Sequence, residues 1–249
     1  MHPGRAAVLF TTPFFVLYIL FLLWPILAAA RTSLFDASLS GHESWAGLRN
    51  YTDLLNDSNF WAAMWHTALF TLLSTPPLVL VALGLALLVS RVHRFQWLYR
   101  LSFFAPYVLP VSVVVLIWNW LFQPGFGLIN SYLTSLGLSE VNWLGQPFVA
   151  MVAVAIATVW WTVGFNFVLY LAGLQEIPRE LYEAAATDGA TSWQQTRRIT
   201  LPLLASTTVL VTVLQVIASL KVFDQIYLLQ NGSAGPQNST RPAIQYIYE

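Results

Sequence analysis

The chain has no cysteine, a single lysine and four histidines in 249 residues. Without thiols it has no disulfides and no thiolate nucleophile or metal ligand. Lys221 does not stand in a G-x-x-x-x-G-K-[ST] phosphate loop, and no such loop occurs anywhere, so the chain carries no ATPase of its own. His2, His42, His66 and His93 are scattered and no H-E-x-x-H is present, so neither a metal site nor a catalytic constellation is visible. Charge is scarce as well, at 9% of residues against about 25% in soluble domains. The formal net charge is zero, with no basic patch that points to nucleic acid.

What fills the chain instead is apolar sequence: 57% hydrophobic residues and a mean hydropathy of +0.63. This composition describes an integral membrane protein, and at about 20 residues per span the length allows roughly five to seven crossings in one domain, 1–249. The expected fold class is an all-α polytopic membrane protein. Residues 6–30 form the first expected span, too long for the core of a cleaved leader, with Pro13 and Pro25 near its ends. Residues 31–61 follow as a polar loop, read as a solvated connection with a short interfacial helix anchored by Trp61 and Trp65, or as a surface for a partner. The second span covers 62–90, and the adjacent Pro76 and Pro77 predict a bend in it. A third covers 101–122 with Pro106, Pro110 and Asn119 inside; its Trp118, Trp120 and Phe122 suit either an interfacial aromatic belt or a platform for a sugar ring.

The fourth and fifth spans are expected over 147–174 and 201–229. Amides at mid-span face a bundle interior or a cavity, so Asn166 and Gln215 are candidates for lining a solute path, the alternative being interhelical hydrogen bonds. Near the far interface, Lys221 can pair with Asp224 at i,i+3 or snorkel to the headgroups. A Gly/Pro/Asn-rich loop over 230–242 leads to PAIQYIYE, the beginning of a sixth apolar run.

Between the fourth and fifth spans lies the most polar stretch, 176–202, within a loop taken as 175–202. It holds four of the eleven acidic residues (Glu176, Glu180, Glu183, Asp188) and three of the eleven basic ones (Arg179, Arg197, Arg198). Its punctuation predicts two short helices. Pro178 suits a first helical position, Gly189 permits a positive φ at the break, and Ser192 with Gln195 has capping-box spacing. Pro202 opens the next apolar segment. A solvated helix-Gly-helix between two spans is either a docking element or an ordinary amphipathic loop.

Within that stretch Glu183, Ala184 and Ala185 are followed after three residues by Gly189, and after nine more by Ile199, then Leu201 and Pro202. This spacing resembles the signature loop of the membrane subunits of binding-protein-dependent ATP-binding-cassette importers. The flanks IPRELYEAA, TDGATSWQQ and ITLPLL are similar to the sugar branch of that family, which includes maltose and glycerol-3-phosphate permease subunits. LIWNWLFQPGFGLIN and the loop phrase GLRNYTDLLNDSNFW also resemble family sequences, the latter an outer loop that meets the solute-binding protein.

The resemblance implies a non-catalytic permease subunit in a bacterial-type inner membrane, importing a sugar or sugar-like solute. Glu183, Ala184, Ala185, Gly189, Ile199, Leu201 and Pro202 are then the ATPase-coupling residues. It also implies partners: a cytoplasmic ATPase dimer that holds ATP and Mg, a second permease subunit of a different chain, and an extracytoplasmic solute-binding protein. This chain itself binds no cofactor. Family members continue past residue 249 into a last helix, which predicts that the five spans and the start of a sixth represent a permease lacking its C-terminal end. An ion-coupled secondary transporter is the alternative, with only Asp224 as an apolar-segment carboxylate to serve it.

Charge across the loops sets the expected orientation. A cytoplasmic N-terminus puts Arg5, Arg91, Arg94, Arg100, Arg179, Arg197 and Arg198 inside and Arg31, Arg49 and Arg241 outside. The excess of inside cations places the Glu183 loop in the cytoplasm.

Overall fold

In the computed structural model, which describes residues 3–37, 43–92 and 94–249, the first apolar segment is helical but not uniformly so. Helix α1 (Pro3–Tyr18) widens into a π turn (Ile19–Leu23) and continues as α2 (Trp24–Thr32). The Trp24 N–H closes the π turn on the Ile19 carbonyl, immediately before Pro25. Proline lacks an N–H and its ring crowds the carbonyl four residues back; a widened turn relieves that crowding and keeps the helix continuous. Side chains from Val8 to Thr32 are all exposed, as befits an apolar helix solvated by lipid.

The polar loop contains more order than its sequence suggests. Strands β1 (Phe35–Ala37) and β2 (Glu43–Trp45) form an antiparallel hairpin with Phe35 opposite Trp45, and α3 (Arg49–Asn56) follows. Arg49 pairs with Asp36, and the Asn50 amide donates to the Ser33 and Phe35 carbonyls at 3.0 and 3.1 Å. The Trp61 indole bonds the Leu55 carbonyl at 2.9 Å and so holds α3, whereas Trp65 is exposed. By contacts the chain divides into two compact units, Met1–Trp61 and Ala62–Glu249.

Helix α4 (Ser58–Ser90) runs as one element through Pro76 and Pro77. Where one span over 101–122 was expected, there are two helices, α5 (Gln96–Val108) and α6 (Val111–Leu121), meeting at 98°. Pro110 is the cause. The residue before a proline is pushed out of the helical region, and Leu109 has φ −68°, ψ 139°. Its carbonyl, freed from helical bonding, accepts the Trp161 indole N–H at 3.2 Å. That is how a membrane tolerates a broken helix: a neighbour satisfies the released backbone group.

After α7 (Leu128–Ser135), the buried Asn130 ties the loop together. Its amide donates to the Gln123 and Val141 carbonyls, and its oxygen accepts from the Val141 N–H and the Trp143 indole, all at 3.1–3.2 Å. Every hydrogen-bonding site of this side chain is satisfied, the condition for burying an amide at no net loss.

Helix α8 (Pro147–Gln175) is the axis of the second unit. Its first half packs with Phe70, Trp118, Phe122 and Ile226, and its second half with Ala82, Ala86, Leu204 and Val211. Small residues permit the close approach. A Cβ on Gly164 would lie 2.1 Å from the Phe103 carbonyl of α5, and one on Gly173 would lie 2.5 Å from the Thr207 hydroxyl.

The remaining elements are α9 (Arg179–Thr187), α10 (Ser192–Gln195), a π turn (Thr196–Thr200), α11 (Leu201–Leu203), α12 (Ala205–Leu220), α13 (Asp224–Leu229), a 3-10 turn (Pro236–Asn238) and α14 (Ala243–Tyr248). The fifth expected segment is therefore not one helix over 201–229. It bends by 60° at Leu204 and breaks again after Lys221, which caps α12 while Asp224 opens α13. Each charge thus sits at the helix end its sign favours. Among the described residues the two form no ion pair.

By length and apolarity Val8–Thr32, Ser58–Ser90 and Pro147–Gln175 can each cross a bilayer, and the two bent pairs bring the number to five if each pair is one span.

Candidate functional site

The polar stretch between α8 and α12 folds as two short helical arms. The first, α9, ends in a Schellman motif. The Gly189 N–H bonds the Ala186 carbonyl at 3.0 Å and the Ala190 N–H bonds the Ala185 carbonyl at 2.9 Å, with Gly189 at φ +79°. Its six-to-one and five-to-two bonds satisfy the last carbonyls and turn the chain.

The second arm opens with a capping box built from Thr191 and Gln194, one residue earlier than the Ser192 and Gln195 that the spacing suggested. Both pairs fit the pattern. The choice is tertiary: the Gln195 side chain is engaged elsewhere, donating to the Tyr182 carbonyl at 3.3 Å. This arm does not stop at Pro202. It runs over Ser192–Leu203 because the Leu201 N–H reaches back five residues to Thr196, immediately before Pro202, the same device seen before Pro25.

Tyr182 braces the two arms. Its hydroxyl lies 2.9 Å from the Thr200 hydroxyl while its carbonyl holds Gln195. The Arg91 guanidinium, at the end of α4, donates to the Thr196 hydroxyl at 2.9 Å. Tyr182, Gln195, Thr196, Thr200 and Arg91 were not singled out as site residues by sequence. The available signal was Thr196 and Thr200, an i,i+4 pair of uncharged residues among charged ones, both buried here.

Three of the seven coupling candidates come together. Ala185, Gly189 and Ile199 line a groove of 360 Å³ between the arms, with Asp188 and Arg198 at its edge. Glu183 and Ala184 are exposed on α9, outside that groove, and Leu201 and Pro202 are exposed at the far end of the second arm. Glu183 forms no ion pair among the described residues, nor do Arg179, Arg197 or Arg198. Two large apolar side chains, Leu181 and Trp193, are exposed on the arms at 43% and 68%. The loop thus presents free charge and apolar surface on a braced frame continuous with α12.

The solute-path candidates lie elsewhere. Asn166 and Gln215 are both buried, on α8 and α12. The Asn166 amide turns back onto its own helix, 3.3 Å from the Thr162 carbonyl. Neither lines the apolar cavity of 760 Å³ bounded by Leu73, Pro77, Pro106, Trp118 and Trp160. Trp118 and Phe122 are core residues in contact with each other and with Trp160 and Trp143, so an interfacial belt does not describe them, while Trp118 also lines the apolar cavity; Trp120 is exposed.

Comparison with known proteins places this architecture. Residues 79–248 match the family described as the binding-protein-dependent transport system inner membrane component. The chain belongs to this family. It is 37% identical over 245 residues to the sulfoquinovosyl glycerol transport system permease protein of Agrobacterium fabrum, covering 98% of this chain and 79% of that one. It is 33% identical over 246 residues to the trehalose/maltose transport system permease protein of Thermococcus litoralis, covering 98% and 83%. A bacterial alginate ABC transporter, solved in complex with an alginate-pentasaccharide-bound periplasmic protein, superimposes with a TM-score of 0.82 at 25% identity, covering 98% of this chain and 83% of the matched chain. The chain is a multi-pass permease component of a binding-protein-dependent transport system, and the ion-coupled secondary transporter is set aside.

Proposed function

We propose that this permease imports a sugar or sugar-like solute across the cytoplasmic membrane, and that the loop over 175–202 is where a separate ATPase dimer drives it. The carrying observation is the braced pair of arms: free charge and exposed Leu181 and Trp193 on one side, and a continuous path through Leu204 into α12 on the other. ATP-induced closure of two ATPase subunits draws the docked loops together and swings the spans from inward-open to outward-open. The change follows because the ATP-bound dimer binds one arrangement of the permease pair better than the other. ATP and Mg are held by the ATPase subunits. A second permease chain completes the path, and a loaded extracytoplasmic binding protein delivers the solute.

The solute class comes from the relatives. Those quoted above carry sulfoquinovosyl glycerol and trehalose or maltose by name; others, at 33–35% identity, carry lactose, arabinooligosaccharides and sn-glycerol-3-phosphate. A glycoside or polyol phosphate is common to all of them. The excess of arginines on the loop side supports a cytoplasmic position for the loop and the N-terminus.

Uptake of a panel of labelled glycosides, in a strain with and without the gene, tests this reading. Loss of uptake of one glycoside on deletion, with resistance to a protonophore while ATP is maintained, is expected. Collapse of uptake with the proton gradient at constant ATP would contradict it.

A further inference from the structure

Between the arms and the ends of α4, α5 and α8 lies a second cavity, of 940 Å³, larger than the apolar one. Three guanidinium groups line it, those of Arg91, Arg100 and Arg179, and no carboxylate is among its sixteen lining residues. None of the three forms an ion pair among the described residues. Glu176 and Glu180 are sequence neighbours of Arg179, yet neither lines the cavity.

Arg100 shows that the site is built. Its Nη2 donates to the Gln96 side-chain oxygen at 3.1 Å, and the Gln96 amide in turn donates to the Val89 carbonyl at 3.2 Å, so the guanidinium is held in place. Its Nε is buried without a partner, and a buried donor of a charged group left unmade is costly. Arg91 is fixed by Thr196, and Arg179 begins α9, where the helix dipole adds positive potential where a cation is disfavoured. Two held cations, Arg91 and Arg100, and the exposed Arg179 line a partly enclosed cavity with no counter-charge among its lining residues; they repel one another, and an anion relieves that repulsion. Guanidinium forks match phosphate oxygens in geometry.

The surroundings choose the source of the phosphate. The cavity wall includes Leu87, Leu171 and Leu174 of the spans, and Phe95 and Trp97 are exposed at the start of α5. Exposed tryptophan beside a span end marks headgroup depth, and basic pockets between helices at that depth take anionic headgroups. We infer that Arg91, Arg100 and Arg179 form a binding site for the phosphodiester headgroup of an anionic phospholipid, which seats against the inner side of the α9 arm and connects lipid composition to the loop.

The test uses the assembled transporter purified from vesicles of phosphatidylcholine with or without phosphatidylglycerol, with phosphatidylglycerol retained per permease measured by mass spectrometry. Arg91→Gln, Arg100→Gln and Arg179→Gln each lower retention roughly fivefold, the fold-change corresponding to about 1 kcal/mol per cation. Arg94→Gln, which removes a neighbouring charge outside the cavity, leaves it unchanged, and Arg100→Lys retains most of it. If Arg100→Gln fails to assemble, Arg91→Gln, at an exposed helix end, decides the matter by the same measurement. Equal losses in Arg94→Gln and the cavity variants, or no loss in the latter, would overturn the site. Full displacement of phosphatidylglycerol by millimolar inorganic phosphate would show a site for free anions and overturn the lipid assignment.

Discussion

At Gly189 the backbone stands at φ +79° and a Cβ would meet nothing within 4 Å, so any penalty for substitution comes from the backbone alone. The left-handed region costs other residues about 1–2 kcal/mol, and a β-branched side chain is worse placed there. Gly189→Ala is therefore expected to keep most uptake, and Gly189→Val to uncouple solute binding from ATP hydrolysis while membrane insertion, read by fractionation, is unchanged. Wild-type uptake in the valine variant would deny Gly189 this role. Glu183 is a different case, a carboxylate exposed on α9 with no internal partner. Arg179 stands four residues before it, the poorer order for an intrahelical pair. If its counter-charge is on the ATPase, the loss in Glu183→Ala reports how dry that contact is. An exposed pair contributes about 0.2–1 kcal/mol, whereas truncating a desolvated one costs about 2–5 kcal/mol. Co-purification of the ATPase is expected to weaken, with partial recovery when Glu183→Arg is combined with Arg→Glu at the facing position. Undiminished association and uptake in Glu183→Ala would shift the docking role to Leu181, Ala184 and Ala185.

Elements, more than residues, separate what could be read in the sequence from what could not. Helix α8 was legible within one residue because its 29 apolar-rich positions begin with a proline that starts a helix well and end before a charged run. The two arms and the Gly189 turn were legible for the same reason, since capping chemistry is local. The right-angled break at Leu109–Pro110 was not. A proline in an apolar run reads equally as a kink or a break, and what decides it is Trp161, fifty-two residues on, satisfying the Leu109 carbonyl. The hairpin of three-residue strands had too little alternation to show, and the capping box moved by one residue because Tyr182 claims Gln195. Two element-level predictions follow from these contacts. Tyr182→Phe removes the hydroxyl bridge between the arms, a net hydrogen bond of about 0.5–1.5 kcal/mol, and is expected to reduce solute-stimulated ATP hydrolysis more than basal hydrolysis. Equal reduction of both would show a general loss of folding instead. Gly164→Ala drives a methyl into the Phe103 carbonyl, whereas Gly84→Ala meets open space. The first is expected to lower the thermal midpoint in detergent and the second to leave it or raise it; the reverse order would contradict the α5–α8 packing.

For the whole molecule the arrangement is one of division of labour. On the proposed function, the apolar helices supply a path and the α8-centred packing carries force, while the chemistry that drives transport is on other chains. Coupling then has to travel from the arms through the bend at Leu204, a buried residue whose N–H and carbonyl still bond Thr200 and Thr208 at 2.9 and 2.8 Å. The bend is thus bonded on both sides, so a push on the arms is expected to move α12 with them. The most direct test of this account uses the absence of native cysteine. With Ala184→Cys as the sole thiol, labelling by a membrane-impermeant maleimide is measured in inside-out vesicles with the ATPase subunits present or stripped away. The account predicts labelling in stripped vesicles and protection when the ATPase is bound. Equal labelling in the two states would contradict it.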